Sequence, residues 1–211
     1  MKGFLYSLAL VAGMVFVLLL AIGPYPYSFV LKAIPAVALG VLAFIYAPFN
    51  QGKLIALGLF FGAGGDVALD IDPQGLFIVG LGLFFVNHIL YILAFFSERG
   101  RDIPPWRKAM AYSLVGFSII MFSVLAPRLG EMQIPVAAYI GVITLMGIAA
   151  CLRKASHIWF ILGAVLFVFS DACIAVNKFL LPVPFASYFI MITYYLAQLS
   201  IAHGALQRTR R

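Results

Sequence analysis

Two aspartates stand in runs that are otherwise apolar. Asp66 lies in LGLFFGAGGDVALD (57–70) and Asp171 in VLFVFSDACIAV (165–176). A carboxylate at the centre of a membrane helix costs about 2.5–3.5 kcal/mol on insertion scales, so it is kept for function, for pairing, or for both. Two carboxylates sharing a desolvated site cannot both ionise cheaply. One would hold a proton and serve as a general acid, while the other stays charged and steadies a cation or directs water. Asp66 and Asp171 are therefore the first candidates for catalytic residues.

Other polar residues join them at helical spacing. In GLFIVGLGLFFVNHILYILAFF (75–96), Asn87 and Tyr91 are four apart and His88 and Tyr91 three apart, so they can share a face as a polar pocket. The bland reading is a hydrogen-bond cluster joining helices. In FASYFIMITYYLAQLSIAHGAL (185–206), Tyr194 and Gln198 are four apart near mid-span, with Tyr195 toward lipid. Lys32, in VLKAIPAV (30–37), sits about one turn inside its run. It can snorkel outward, pair with a buried aspartate, or meet a lipid phosphate. Asp70 and Asp72 fall near the water interface, and His157 and His203 near the opposite one.

Several chemistries find no support. The three histidines lie at different expected depths, and neither HxxxH nor CxxC occurs, so no metal site is expected. No GxSxG nucleophile motif is present. GAGGD ends a membrane run rather than opening a helix after a strand, which argues against a phosphate cradle. No cofactor is expected. Cys151 and Cys173 read as reduced thiols in or near helices.

The elements that must carry these residues follow from composition. Of 211 residues, 64% are hydrophobic and 10% charged, against about 25% charged in soluble domains. About 20 apolar residues span the hydrocarbon core, and several runs here reach that length without alternation. Lipid leaves backbone amides no solvent partner, so continuous runs must be helices. The expected fold is an all-α polytopic bundle of eight transmembrane helices near 4–22, 29–47, 53–71, 76–96, 109–127, 133–151, 157–177 and 184–206, forming a single membrane domain over 1–211. The first run reads as an anchor rather than a removed signal. Gly58, Gly62, Asp66 and Asp70 recur every four residues, so the glycines admit a neighbouring helix on the stripe that carries Asp66. Asp66 and Asp171 are 105 positions apart, half the chain, each after a small residue. That echo fits two four-helix halves in parallel orientation.

The net charge of +7 comes mostly from short loops and is no nucleic-acid signal. With the N-terminus inside, Lys2, Lys53, Arg99, Arg101, Arg107, Lys108, Arg153, Lys154, Arg208, Arg210 and Arg211 fall on the inner side, and Lys32, Arg128 and Lys178 on the outer. The positive-inside rule then sets both termini in the cytoplasm, with both aspartates in the outer half of the membrane.

The order of GDVALD, FFVNHILYILAF, GAVLFVFSDACIAV and YYLAQLSIAHGAL, with LKAIP before them, resembles the YhhN family of eight-helix membrane proteins, which includes lysoplasmalogenases. The resemblance runs from the second span to the C-terminus. It implies an alkenyl ether hydrolase that cleaves the sn-1 vinyl ether of lysoplasmalogens to a fatty aldehyde and a glycerophospho-base. It implies catalytic roles for Asp66, Asp171 and His88, and substrate contacts from Lys32, Tyr91, Tyr194 and Gln198. Asn87, beside His88, is expected in the same pocket. The substrate would enter sideways from the bilayer, in what is expected to be a bacterial cytoplasmic membrane. The rival from another class is a small-molecule or proton-coupled transporter, since intramembrane Asp, His and Tyr also build proton relays. A helix broken at Gly64–Gly65 would favour it.

Overall fold

The computed structural model describes residues 1–23, 25–97, 102–153 and 158–207, without the Phe49 side chain. His157 and the cations Arg99, Arg101, Lys154, Arg208, Arg210 and Arg211 lie outside the described residues. The chain forms α1 (Lys2–Leu19), α2 (Ser28–Tyr46), α3 (Phe49–Ile71), α4 (Phe77–Phe96), α5 (Pro105–Leu129), α6 (Gln133–Cys151), α7 (Ile158–Phe179) and α8 (Ala186–Leu206), with no strand among the described residues. This is the all-helical class that continuous apolar runs require.

The count of membrane-crossing segments differs from expectation by one. Seven helical segments are long and apolar enough to cross, because Pro105–Cys151 runs as one helical stretch of 47 residues. At 1.5 Å per residue a straight helix of that length would reach about 70 Å, more than twice the hydrocarbon core. It is instead folded on itself. Gly130 takes φ +52, which glycine adopts without steric cost, and α5 packs back along α6. Ser118 and Thr144 hydrogen-bond across the pair at 2.6 Å.

The punctuation is local. Pro105 opens α5 at a position where a missing N–H costs nothing. Tyr27 and Phe185 adopt left-handed backbone just before α2 and α8. Pro35 sits within α2, and the Tyr195 hydroxyl donates to the Lys32 carbonyl in the turn that Pro35 disturbs, at 3.1 Å. Tyr195 thus faces α2, correcting the lipid-facing expectation. α3 is unbroken through Gly64–Gly65.

Most sequence neighbours pair along the chain, α4 and α5 excepted, and contacts between non-neighbours close the bundle. α4 packs on α6 as well as on α3, α8 packs on α2 and α3 as well as on α7, and α5 lies against α6 and α7. Leu39, Leu42, Ile55, Leu59, Phe95, Phe160, Phe167 and Ile201 fill the centre, while Leu10, Leu18, Ile119, Ile120 and Leu145 project outward. The Tyr6 hydroxyl meets His203 Nδ1 at 3.1 Å, joining the start of α1 to the end of α8. Both termini therefore lie at one end of the bundle. His203 also packs edge-on against Trp159, so it ties three helices together instead of simply meeting water. Cys151 is buried and Cys173 half-buried, both as free thiols.

Candidate active site

α3 delivers Asp66 into the interior. A methyl on Gly58 would lie 2.6 Å from the Tyr91 ring, and one on Gly62 would lie 3.3 Å from the Tyr194 hydroxyl. The glycine stripe therefore lets α4 and α8 close on α3 at the level of Asp66, which is 3% exposed. The Tyr194 hydroxyl donates to Asp66 Oδ2 at 2.7 Å, and Gln198 Nε2 donates to the Tyr194 oxygen at 2.5 Å. Asn87 Nδ2 donates to the Gly58 carbonyl at 2.5 Å. Polar atoms of Tyr194, Asn87 and Gln198 thus converge where Gly62 has no side chain. Of these bonds only the one from Tyr194 goes to a carboxyl group, and a bond to a charged group contributes about 1.5–3 kcal/mol.

Asp171 has different partners. The Tyr139 hydroxyl of α6 donates to Asp171 Oδ2 at 2.6 Å. His88 Nε2 lies 3.0 Å from that hydroxyl and 3.5 Å from Asp171 Oδ2. A phenol has one proton, and here Asp171 accepts it. His88 then donates from Nε2 to the Tyr139 oxygen. His88 Nδ1, Asn87 Oδ1, Tyr91 Oη and Gln198 Oε1 are buried with no hydrogen-bond partner among the described residues. Such groups cost about 1–3 kcal/mol each and occur in native proteins where function requires them.

The two aspartates occupy adjoining clusters, and no hydrogen bond joins them among the described residues. Phe167 lies between, its ring 5.0 Å from His88 and 5.3 Å from Tyr194 by centroids. Phe84 stands edge-on to Tyr194 at 5.8 Å and also packs against Gly65. α4 serves both sides: Asn87 turns to α3, His88 to α6 and α7, and Tyr91 packs between Gly58 and Phe167.

Asp171 opens on a cavity. Between α4, α5, α6 and α7 lies a cavity of about 80 Å³, partly open to the surroundings, lined by Phe84, Phe117, Leu125, Ile143, Phe179 and other apolar side chains. Asp171, Tyr139 and Ser118 supply its polar groups. The side chain of Asp171 is 13% exposed.

Lys32 is placed elsewhere. Its Nζ is 3.6 Å from Asp70 Oδ1, and the Ser28 hydroxyl donates to Asp70 Oδ2. Of the readings open to Lys32, the partner is Asp70, and Asp70 is a half-buried ion-pair member rather than a solvated end. Asp72 caps the next turn by accepting from the Gln74 and Gly75 amides. Among the described residues no three His, Cys, Asp or Glu side chains converge as a metal cage.

Comparison with known proteins places the chain. The model of the YhhN family matches residues 27–205. The chain belongs to the YhhN family. Lysoplasmalogenase TMEM86A of Homo sapiens is 35% identical over 162 residues, which cover 72% of this chain and 65% of that protein. Lysoplasmalogenase TMEM86B of Rattus norvegicus is 32% identical over 85% of this chain and 73% of its own. The lysoplasmalogenase of Mycobacterium tuberculosis is 30% identical over 82% and 68%. The chain thus spans 65% of the length of the human TMEM86A protein it matches. No solved structure matches it. For this YhhN chain, sequence reasoning missed Tyr139, which holds Asp171. The available signal was a lone tyrosine in the apolar run VAAYIGVITL (136–145).

Proposed function

We propose that this protein is a membrane hydrolase that cleaves the sn-1 vinyl ether of lysoplasmalogens to a fatty aldehyde and a glycerophospho-base. The observation that carries the reading is a carboxylate, Asp171, opening on an apolar cavity between membrane helices. That combination suits a substrate with a hydrocarbon tail and an acid-labile bond beside it. Relatives named lysoplasmalogenase support the substrate class.

The chemistry runs as follows. Tyr139 and His88 face Asp171 Oδ2, which leaves Oδ1 to carry the proton. Asp171 gives that proton to the alkene carbon beta to the ether oxygen, forming an oxocarbenium ion. The resulting carboxylate steadies the cation, as in glycoside cleavage. Water adds to the cation and returns one proton to Asp171, with His88 and Tyr139 relaying it. The hemiacetal then collapses to aldehyde and alcohol. Asp66, with Tyr194, Gln198 and Asn87, forms the second polar cluster beside Gly62 and is the second carboxylate of the reading, acting on the adding water from behind Phe167. Tyr91 closes its floor, and the Lys32–Asp70 pair fixes α2 to α3 above it.

We further propose that both termini face the cytoplasm of a bacterial inner membrane, a reading the positive-inside asymmetry supports for the orientation, and that the whole chain acts as one membrane domain. The cavity then serves the outer leaflet.

The test is incubation of the purified protein with lysoplasmalogen, diacyl lipid and acyl lysolipid, following products by mass. Aldehyde from lysoplasmalogen alone is expected. Asp66→Asn and Asp171→Asn should each lower turnover by about 10²-fold or more, the range of a general acid, while the protein still inserts and folds. Near-normal turnover in either variant defeats the two-carboxylate mechanism. Substrate flux into liposomes without aldehyde would favour the transporter.

A further inference from the structure

We propose that Lys178, at the mouth of the cavity, binds the phosphate of the lipid and so sets the vinyl ether against Asp171. The inference deepens the alkenyl-lipid reading and rests on it for the identity of the ligand.

Three cations stand at the end of the bundle opposite the termini: Lys32, Arg128 and Lys178. Lys32 has its charge matched by Asp70. Arg128 is exposed in the last turn of α5. Lys178 does something different. Its Nζ lies 4.1 Å from the centroid of Phe77 and 6.0 Å from that of Phe179, and both rings line the cavity. No carboxylate lies within ion-pair distance of Lys178 among the described residues. An exposed ammonium over a ring gains little from it. A phosphate outbids that easily, because charge-assisted bonds to it are stronger.

The spacing fits one ligand. Asp171 and Lys178 are seven positions apart on α7, so they share a helical stripe, about 10 Å apart along the axis. Ala172, Ile174 and Ala175, between them, line the same cavity. In a lysophospholipid the sn-1 oxygen and the phosphorus are separated by five single bonds, about 6 Å when extended at standard bond lengths. The flexible lysine side chain covers the remainder. The tail then runs the other way, deeper into the cavity toward Ile143 and Phe117. A ligand with a tail, an ether and a phosphate in that order meets apolar wall, carboxylate and ammonium in the same order.

The test uses binding, so that it does not depend on turnover. Purified wild-type protein, Lys178→Ala, Lys178→Glu and Lys178→Arg are titrated with a saturated 1-alkyl-glycerophosphoethanolamine and with the 1-alkylglycerol of the same chain. Phospholipid affinity should fall about tenfold in Lys178→Ala, further in Lys178→Glu, and stay near wild type in Lys178→Arg, the size of one charge-assisted contact. Alkylglycerol affinity should be the same in all four proteins. Equal weakening for both ligands, or unchanged phospholipid affinity, overturns the proposal. Aldehyde release from the alkenyl analogue is followed in parallel. Lys178-dependent binding without any aldehyde would refute the hydrolase and leave the phosphate site standing. Aldehyde release with Lys178-independent binding would do the reverse.

Discussion

Tyr194 and Tyr139 each donate a hydrogen bond to an intramembrane aspartate, but with different consequences. Tyr194 holds Asp66 inside a closed cluster, and Gln198 in turn donates to Tyr194. Tyr194→Phe leaves a buried carboxylate without that donor, so it should destabilise the protein by about 1.5–3 kcal/mol. A lowered melting temperature in detergent, beside an unchanged one for Tyr112→Phe at an exposed position, checks it. Tyr139 sits on the wall of the cavity and links Asp171 to His88. Tyr139→Phe should reduce aldehyde release by more than it lowers thermal stability, because it unsettles both the acid and its relay. Loss of stability with full specific activity would contradict the relay role.

At the level of elements, close approach depends on α3. Gly58→Ala puts a methyl into the Tyr91 ring, and overpacking of that kind costs about 1–3 kcal/mol. Trimming the ring in Gly58→Ala/Tyr91→Leu should recover part of the loss, a coupling that thermal unfolding can measure. Gly116 in α5 has open space around its would-be methyl, so Gly116→Ala should be neutral or slightly stabilising through helix propensity. A second device closes the other end of the bundle. Buried Arg107 donates to the Ala150 carbonyl in the last turn of α6 at 3.4 Å and to the Arg153 carbonyl just beyond its end at 2.6 Å. Arg107→Ala should lower the melting temperature without altering the cavity. The elements also carry the half-chain echo further. Gly58 and Gly163 precede Asp66 and Asp171 by the same eight positions, and each glycine is a close-contact site, with α4 and α8 respectively. Each aspartate is then faced by the last helix of the other half: Asp66 by Tyr194 of α8, Asp171 by His88 of α4.

For the whole molecule, the Tyr6–His203 contact puts both termini at one end, and the cavity mouth with Lys178 at the other. In the proposed orientation the terminal end is cytoplasmic. A membrane-impermeant maleimide should therefore label Arg128→Cys in intact cells and Lys2→Cys only after permeabilisation, both in a background lacking Cys151 and Cys173. The reverse pattern would turn the protein over and move the cavity to the inner leaflet.

The apolar runs by themselves determined a helical membrane protein, because lipid offers a backbone no other partner. Four-residue spacing likewise determined that Gly58, Gly62 and Asp66 share a face, since helical geometry fixes which residues of one helix lie together. Even the pairing of Asp66 with Asp171 as an echo was legible from chain position. What no single helix contains is the identity of its neighbour. Only the packing of α8 on α3 brought Tyr194 to Asp66, and only that of α6 on α4 and α7 brought Tyr139 to Asp171. Packing likewise gave Lys32 to Asp70, folded Pro105–Cys151 at Gly130 into a hairpin, and opened the cavity on Asp171 while closing Phe84 over the approach to Asp66. Local spacing decides the direction of a side chain about its own axis, whereas the group it meets is chosen by contacts between residues up to 197 positions apart.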